Sequence, residues 1–412
     1  SLFRYALLKL GADSFLYFAC YHHLIADGWT IALLARAHAD IYTALASGES
    51  PDMAAHSYLA FIENDRSYSA SSAFATQRQY WLQKFQPLPE PLFAARYRSQ
   101  ARTQSPPSQC STLSLPRDWY NRLIVFASDH GATTFHAILA ATYVYFTRTA
   151  QRAELVVGLP VLNRSNAAFK ATAGLFVGVT AARFCFGTDL SFSDLLQTIG
   201  RELKQNYRHQ RFPLSALHRS VNRVNRADTA QQPLFDVGLS YERHDYEAAF
   251  GQARGMAIPL VNEHQSAPLM LYVREFHDDE AVQVDFVYNK AYFNSDEIAA
   301  IQQRWLNLLE AAQRTPHLPV KALPVLTAAE YRQLTAGWNA TAVDYPQARP
   351  VHALIEQQAD ATPDALALVF EEKQLSYHAL NSAANRLAHR LIGAGVGRDT
   401  LVCICAERSI EM

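Results

Sequence analysis

The chain has 412 residues, 49% hydrophobic and 18% charged, so it is too apolar to be disordered and long enough for two or three separate cores. Its 37 basic and 38 acidic side chains give a formal net charge of -1, which excludes a global field that would attract nucleic acid or an anionic membrane. No apolar run approaches the roughly 20 residues of a membrane helix, so we expect no membrane partner. The balanced charge gives no reason to expect a nucleic-acid partner either.

The first predicted elements are a strand and two helical regions. Residues 15–24 form a short apolar and aromatic run that predicts a buried strand. Apolar residues then recur at three- and four-residue steps as far as Gly48, which predicts an amphipathic helix with a glycine stop. A second helical region follows over about 54–85.

A proline-rich segment separates this part from the rest of the chain. Five of the 18 prolines lie between positions 86 and 110, and such a density is typical of a linker. We therefore predict the C-terminal part of a first lobe at 1–90 and an inter-lobe linker at 91–110.

The next stretch predicts interleaved helices and strands, as in an α/β or α+β lobe. We predict helices at about 117–130, 133–148 and 294–313, and strands at about 155–161, 175–186, 234–241 and 282–288. The last strand closes a hairpin, and the last helix begins at Asn294, which has the capping-box spacing to Glu297. These elements predict a second lobe at 111–322.

Another boundary falls at 323–349, where Thr327 and Glu330 have the capping-box spacing and a polar stretch follows. From about 350 the order restarts as helix, strand, short turn, helix and a final strand at LVCICA, residues 401–406. The pattern predicts a linker at 323–349 and the start of a further α/β domain at 350–412.

The cysteines and the ends of the chain bear on where it is found. Five scattered cysteines lack the C-x-x-C spacing that zinc or redox sites favour, and they fit reduced thiols in a cytoplasmic protein. The N-terminus lacks the basic-then-apolar order of a signal peptide. Because the chain begins at Ser1 and stops soon after an apolar run, we expect a piece of a longer protein.

The most informative residues are His22, His23, Asp27 and Gly28, in the string YHHLIADGW. Because successive side chains of a strand face opposite ways, we expect only one of the two imidazoles to enter a cavity. An imidazole at a strand end, with a carboxylate four residues on, suits a general base on a loop pinned by charge. The alternatives are a satisfied pair in the core or on the surface, or a metal site, and a metal site lacks a third ligand at a supporting spacing.

Further motifs follow in order and carry a family resemblance. The H-H-x-x-x-D-G string, followed by Trp29, resembles the signature of nonribosomal peptide synthetase condensation domains and of the superfamily that includes chloramphenicol acetyltransferase. Four more segments are similar to family motifs: GLPVLNRS (158–165), AGLFVGVTAARF (173–184), RHQRFPL (208–214) and QPLFDV (232–237). The chain departs from the motifs at Gly178 and Val179, where the family has Asn-Thr, and at Gln232, where it has Asn.

The end of the chain carries a second resemblance. LSYHALNSAANRLAHRL (375–391) resembles the opening L-T-Y-x-E-L motif of adenylation domains, and TPDALAL (362–368) resembles the strand before it. The family's phosphate-binding loop, ribose-binding aspartate and catalytic lysine would lie beyond Met412. We therefore expect that this chain does not activate amino acids.

These resemblances imply an α/β fold of the two-lobed chloramphenicol acetyltransferase type, with the first lobe incomplete at its N-terminus, followed by a partial α/β adenylation subdomain. They imply that two peptidyl carrier proteins bring a donor and an acceptor thioester into one tunnel on 4'-phosphopantetheine arms. The acceptor amine would attack the donor thioester. No metal and no directly bound cofactor are expected, and the partners would be the donor carrier, the acceptor carrier and the downstream adenylation domain.

The resemblance also assigns roles to single residues. His23 would be catalytic, either as a base or by orienting the amine, and His22 would be packed and hydrogen-bonded in the core. Asp27 would pair with Arg164 as a structural support, and Gly28 would allow close approach of the arm or simply form a turn. The alternatives of the same fold are an epimerisation domain and a catalytically silent module that docks carriers.

Overall fold

The computed structural model describes residues 1–51, 56–96, 107–225, 233–243, 249–258, 260, 263–344 and 349–412. Contacts divide the chain into two compact units, Ser1–Tyr331 and Arg332–Met412. No helix in the described ranges is both long and apolar enough to cross a membrane. Gln232 and parts of both predicted linkers, 97–106 and 345–348, lie outside the described residues.

The first unit begins with a two-stranded ribbon and three helices. These are β1 (Phe3–Lys9), β2 (Phe15–Tyr21), α1 (Gly28–Ala46), α2 (Leu59–Ser69) and α3 (Ser72–Lys84). The strand and the helical regions are confirmed, with the second region divided into α2 and α3. The prediction that the strand is buried is wrong: β2 is exposed over most of its length, because β1 is its only partner strand in the described part of the chain.

The described part of the proline-rich segment is attached to the rest of the first unit. The Arg183 guanidinium donates to the backbone carbonyls of Lys84 and Pro87, at 2.9 and 2.6 Å. Further along, the backbone N–H of Leu92 donates to the buried carboxylate of Asp236, whose pKa is raised by burial. Because its polar backbone groups are paired with the second half of the unit, this segment packs as part of that half.

A six-stranded mixed sheet forms the centre of the first unit. Its elements and their neighbours are β3 (Ser108–Leu115), α4 (Arg117–Asp129), α5 (Thr134–Thr149), β4 (Glu154–Val161), α6 (Ala167–Lys170), β5 (Gly178–Cys185), α7 (Phe192–Arg208), α8 (Leu214–Asn225), β6 (Val237–Glu242), β7 (Ala249–Phe250), β8 (Ala253–Arg254), β9 (Leu269–Arg274), β10 (Val282–Asn289) and α9 (Ser295–Arg314). The strand order is β3-β10-β9-β6-β4-β5, with β6 parallel to both of its neighbours. The helices and strands predicted for this stretch are confirmed to within a few residues.

Both faces of the sheet carry apolar side chains. One face packs against α4, α5, α7 and α9, for example where the rings of Phe286 and Trp305 meet at 6.1 Å between centroids. On the other face, Val156 belongs to a cluster with Trp81 of α3 and with Phe85, the residue that caps the end of α3. Since burial of large aromatic side chains contributes strongly to stability, α3 ties the N-terminal elements firmly to the sheet.

Both predicted capping boxes are confirmed. The Asn294 side chain accepts from the backbone of Glu297, and the Glu297 carboxylate accepts from the backbone of Asn294. Thr327 and Glu330 make the same reciprocal pair. Each box satisfies backbone N–H groups that the first turn of a helix leaves unpaired.

The second unit contains two helices and a hairpin. They are α11 (Val351–Ala361), β11 (Leu366–Phe370), β12 (Lys373–Ser376) and α12 (Tyr377–Gly393). The 3₁₀ helix Val320–Ala322, the short α10 (Ala328–Arg332) and the π-helical turn Gln333–Gly337 precede them in the chain. The prediction of a strand at 401–406 is wrong: these residues are exposed and form no ladder. A strand needs a hydrogen-bonded neighbour, and β11 and β12 pair only with each other within the described residues.

Candidate active site

The H-H-x-x-x-D-G string lies in the connection between β2 and α1. β2 ends at Tyr21, so neither histidine belongs to the strand, and the alternation of strand side chains does not govern them. His22 is exposed, and its Nδ1 accepts a hydrogen bond from the backbone N–H of Leu24 at 3.1 Å. The expectation that His22 packs in the core is wrong: its side chain is exposed, as β2 itself is over most of its length.

His23 is also exposed, and one hydrogen bond fixes its ring. Its Nδ1 lies 2.9 Å from the backbone carbonyl oxygen of Ala26. Because a carbonyl oxygen can only accept, Nδ1 must carry the hydrogen, and the neutral ring then has a bare Nε2. A bare Nε2 can accept a proton or a hydrogen bond from an amine.

Asp27 is buried and uses both carboxylate oxygens. Its Oδ1 accepts from the backbone N–H of Thr30 at 2.8 Å, which makes Asp27 the N-cap of α1. Its Oδ2 accepts from the backbone N–H groups of Phe176 and Val177, at 2.9 and 3.2 Å. The carboxylate therefore holds the start of α1 and the segment before β5 together.

The predicted ion pair between Asp27 and Arg164 is present. Nη2 of Arg164 lies 3.0 Å from Oδ1 and 3.2 Å from Oδ2, and the two side chains, Arg164 and Asp27, are only 1% and 2% exposed. The guanidinium also donates to the carbonyls of Phe169 and Thr172, at 2.5 and 2.6 Å. Buried charges require such partners, because an unpaired ion away from water is costly.

The electrostatics of the pair follow from burial and contacts. Burial alone would raise the pKa of Asp27, but hydrogen bonds from Phe176 and Thr30 and the charge of Arg164 outweigh it and hold that pKa below its usual value. Burial lowers the pKa of Arg164, and the charge of Asp27 opposes this effect. Asp27 is thus an ionised carboxylate at neutral pH, and its oxygens are occupied by the protein.

Thr30, which no sequence motif singled out, joins this cluster. Its hydroxyl donates to the carbonyl of Gly174 at 2.7 Å, accepts from the Gly174 N–H at 3.0 Å, and accepts from Arg164 at 2.8 Å. Gly174 has φ 155, and a Cβ there would overlap the ring of Tyr58, so only glycine fits. The available signal was the spacing of Thr30 three residues after the capping residue Asp27.

Gly28 and Trp29 open helix α1. Gly28 is exposed, and its φ is outside the left-handed region, so this turn does not require glycine for its backbone. The indole N–H of Trp29 donates to the carbonyl of Lys170 at 2.8 Å, a second link between α1 and the segment after β4.

In the described ranges, no group of three or more His, Cys, Asp or Glu side chains is placed to hold a metal ion.

Comparison with known sequences gives two matches along the chain. Residues 1–335 match the family model "Condensation domain", and residues 355–412 match "AMP-binding enzyme". The chain is 30% identical over 412 residues to tyrocidine synthase 3 of Brevibacillus parabrevis and 28% identical over 412 residues to the dimodular nonribosomal peptide synthase of Bacillus subtilis (strain 168). Both alignments cover 100% of this chain but only 6% and 17% of those proteins, so the chain spans a small part of their length.

Solved structures give the same picture. The starter condensation domain of rhizomide synthetase in complex with C8-CoA superposes with a TM-score of 0.68 at 25% identity, covering 78% of this chain and 72% of that one. The first condensation domain of the calcium-dependent antibiotic synthetase, at 22% identity, has a TM-score of 0.69 over 79% of this chain and 70% of that one, which shows the shared fold. The expected α/β condensation fold is confirmed, and residues 1–335 of this chain belong to the condensation domain family, with the beginning of an AMP-binding enzyme after them.

Proposed function

We propose that this chain forms the amide bond between a donor acyl or peptidyl thioester and an acceptor aminoacyl thioester in nonribosomal peptide synthesis. The observation that carries the proposal is the state of His23: an exposed imidazole beside a buried ion pair, with Nδ1 fixed by Ala26 and with no hydrogen bond to Nε2 from the residues that the structure describes. The family match and the synthase relatives support this choice of reaction.

The reaction needs one nucleophile, one leaving group and one proton acceptor. The acceptor amine attacks the thioester carbonyl carbon, the new C–N bond forms, and the C–S bond breaks to release the thiol of the donor arm. The amine proton moves to Nε2 of His23 and then to the leaving sulfur, or His23 orients the amine by a hydrogen bond. A positioned base contributes about 10²- to 10⁴-fold, and holding both thioesters in one place contributes more.

The remaining residues would support His23 by position. Asp27 and Arg164 would hold its loop in place, while Gly28 opens the helix next to it and His22 flanks it. We propose donor and acceptor peptidyl carrier proteins and the downstream adenylation domain as partners, with the phosphopantetheine arms as substrates. We place the protein in the cytoplasm, in keeping with its five free thiols. The division into 1–90, 91–110, 111–322, 323–349 and 350–412 belongs to the same proposal.

The test is a condensation assay on the synthetase that contains this chain. It is mixed with a loaded donor carrier and a loaded acceptor carrier, and the acceptor carrier is examined by mass spectrometry for the condensed product. We expect product from the wild type, and His23→Ala should lower the rate at least about 10²-fold while leaving the melting temperature unchanged. A suitable control is His130→Ala, because its Nδ1 also lies 2.8 Å from a backbone carbonyl, that of Phe126, outside the site.

Three outcomes would contradict the proposal. Normal condensation by His23→Ala would remove the assigned role of the imidazole. Inversion of the donor α-carbon without transfer would indicate an epimerisation domain. Carrier binding without either reaction would indicate a silent docking module.

A further inference from the structure

Asn163 has an unusual backbone next to the buried ion pair. It directly precedes Arg164, in the loop after β4, and its φ is 51, in the left-handed region. That region favours glycine, and asparagine occupies it at a modest cost in free energy. A left-handed backbone beside a candidate active site indicates that the Asn163 side chain has a local role.

The left-handed turn folds the Asn163 carboxamide over the first residue of β5. Nδ2 donates to the carbonyl oxygen of Phe176 at 3.1 Å. A Cβ at Gly178 would lie only 2.8 Å from this Nδ2, so the glycine makes room for the carboxamide. The departure from the family motif at Gly178 therefore has a local reason. The opposite orientation of the carboxamide would place two acceptor oxygens together, which fixes the assignment of Nδ2.

The same residue carries a second cost. Asn163 Oδ1 is buried and has no hydrogen-bond partner among the described residues. A buried polar atom without a partner is destabilising. Glycine at position 163 would remove both the left-handed strain and the orphan oxygen. What Asn163 provides in return is its bond to Phe176.

That bond leads to the His23 imidazole through consecutive contacts. The peptide group between Phe176 and Val177 accepts from Asn163 at its carbonyl and donates to Asp27 through its N–H, and the N–H of Phe176 donates to the same carboxylate. Asp27 directly follows Ala26, whose carbonyl oxygen fixes Nδ1 of His23. We propose that Asn163 is a positioning residue for His23: by fixing the Phe176 peptide it holds Asp27 and the Ala26 carbonyl in place, and so sets the orientation and tautomer of the ring. The inference rests on the proposed function.

The decisive variant is Asn163→Gly in the condensation assay. We expect its melting temperature to stay close to that of the wild type, because relief of the left-handed backbone and of the orphan oxygen offsets the lost hydrogen bond and the greater freedom of glycine in the unfolded chain. We expect kcat to fall about 3- to 10-fold, the share of one hydrogen bond, with KM for both loaded carriers unchanged and the pH profile of kcat altered. A purely structural role would lower the melting temperature and leave the pH profile unchanged.

Gln151 offers a matched control. It is exposed, has φ 53 and lies in the turn after α5, so Gln151→Gly relieves a similar strain away from the site. Its kcat should equal that of the wild type. A second variant, Asn163→Asp, keeps a residue that tolerates the left-handed region but faces Phe176 with an acceptor, and it should lose both rate and stability.

Two results would overturn the inference. One is an Asn163→Gly protein with wild-type kcat and pH profile, in an assay where the wild type forms product. The other is read without turnover: ¹⁵N NMR of the His23 ring reports the tautomer, and an unchanged Nδ1–H population in Asn163→Gly would refute the positioning role. A wild type that forms no product contradicts the proposed function instead, and the NMR measurement still decides the role of Asn163.

Discussion

His23 and Asp27 lie four residues apart in one motif, yet their surroundings differ. Asp27 is 2% exposed and accepts hydrogen bonds from three backbone N–H groups and from Arg164. His23 is exposed, and its ring nitrogen Nδ1 is bonded to the Ala26 carbonyl. The motif therefore combines a buried carboxylate that holds two segments together with an exposed imidazole, for which we propose the catalytic role. Changes at Asp27 should alter stability, and changes at His23 should alter activity.

The largest effect on the free energy of unfolding is expected when the Asp27 carboxylate is removed. Asp27→Ala leaves the Arg164 charge buried without its counterion, and breaking such a pair costs about 3–5 kcal/mol. Urea unfolding of the condensation domain measures this loss. The control is Asp278→Ala, whose ion pair with Arg243 is exposed and should contribute less than about 1 kcal/mol. An unchanged unfolding curve for Asp27→Ala would show that the buried pair of Asp27 and Arg164 does not stabilise the domain.

The pH dependence of stability sharpens the same comparison. Because contacts hold the pKa of Asp27 below its usual value, the unfolded chain binds the proton more readily than the folded protein does. The contribution of Asp27 is fully present above about pH 4, the usual range of aspartate, and is lost as the pH falls through the lower folded-state pKa. Asp27→Asn should therefore flatten the fall in unfolding free energy below about pH 4, measured by urea titrations. An equal slope in the two proteins would show that Asp27 is not the group responsible.

The smallest effect is expected at His22. Its side chain is exposed and accepts one hydrogen bond from Leu24, so His22→Ala should change stability by no more than about 0.5 kcal/mol. Its condensation rate should stay near the wild-type value, in contrast to His23→Ala. Thermal unfolding and the same product assay measure both quantities. A His22→Ala protein with little activity would show that the reaction needs both imidazoles of the motif.

Local patterns in the sequence predicted much of the fold. Helical spacing, strand alternation and the capping pairs of Asn294 and Thr327 depend on residues close in the chain, and the structure contains them. The burial of β2 and a strand at 401–406 were wrong because they depend on neighbouring strands. Periodicity reports which side chains are apolar and cannot report which strand will pair with them.

The candidate site was predictable only in part. The pairing of Asp27 with Arg164 came from the family resemblance, since 137 positions separate the two residues. Thr30 and Asn163 escaped because their partners, Gly174 and Phe176, are known only once the loops meet. The exposure of His22 depends on whether other parts of the chain cover the β1–β2 ribbon, and the spacing of apolar residues along the sequence does not report that.

The attachment of the proline-rich segment matters for anyone who recombines synthetase modules. A chimera joined between Lys84 and Leu92 would change the path of the backbone whose carbonyls bind Arg183 and whose N–H binds Asp236, and a different path there would break these hydrogen bonds. The cost would fall on the recipient sheet, far from the residues that choose or join the substrates. A junction placed outside residues 84–92 preserves those hydrogen bonds in both parents.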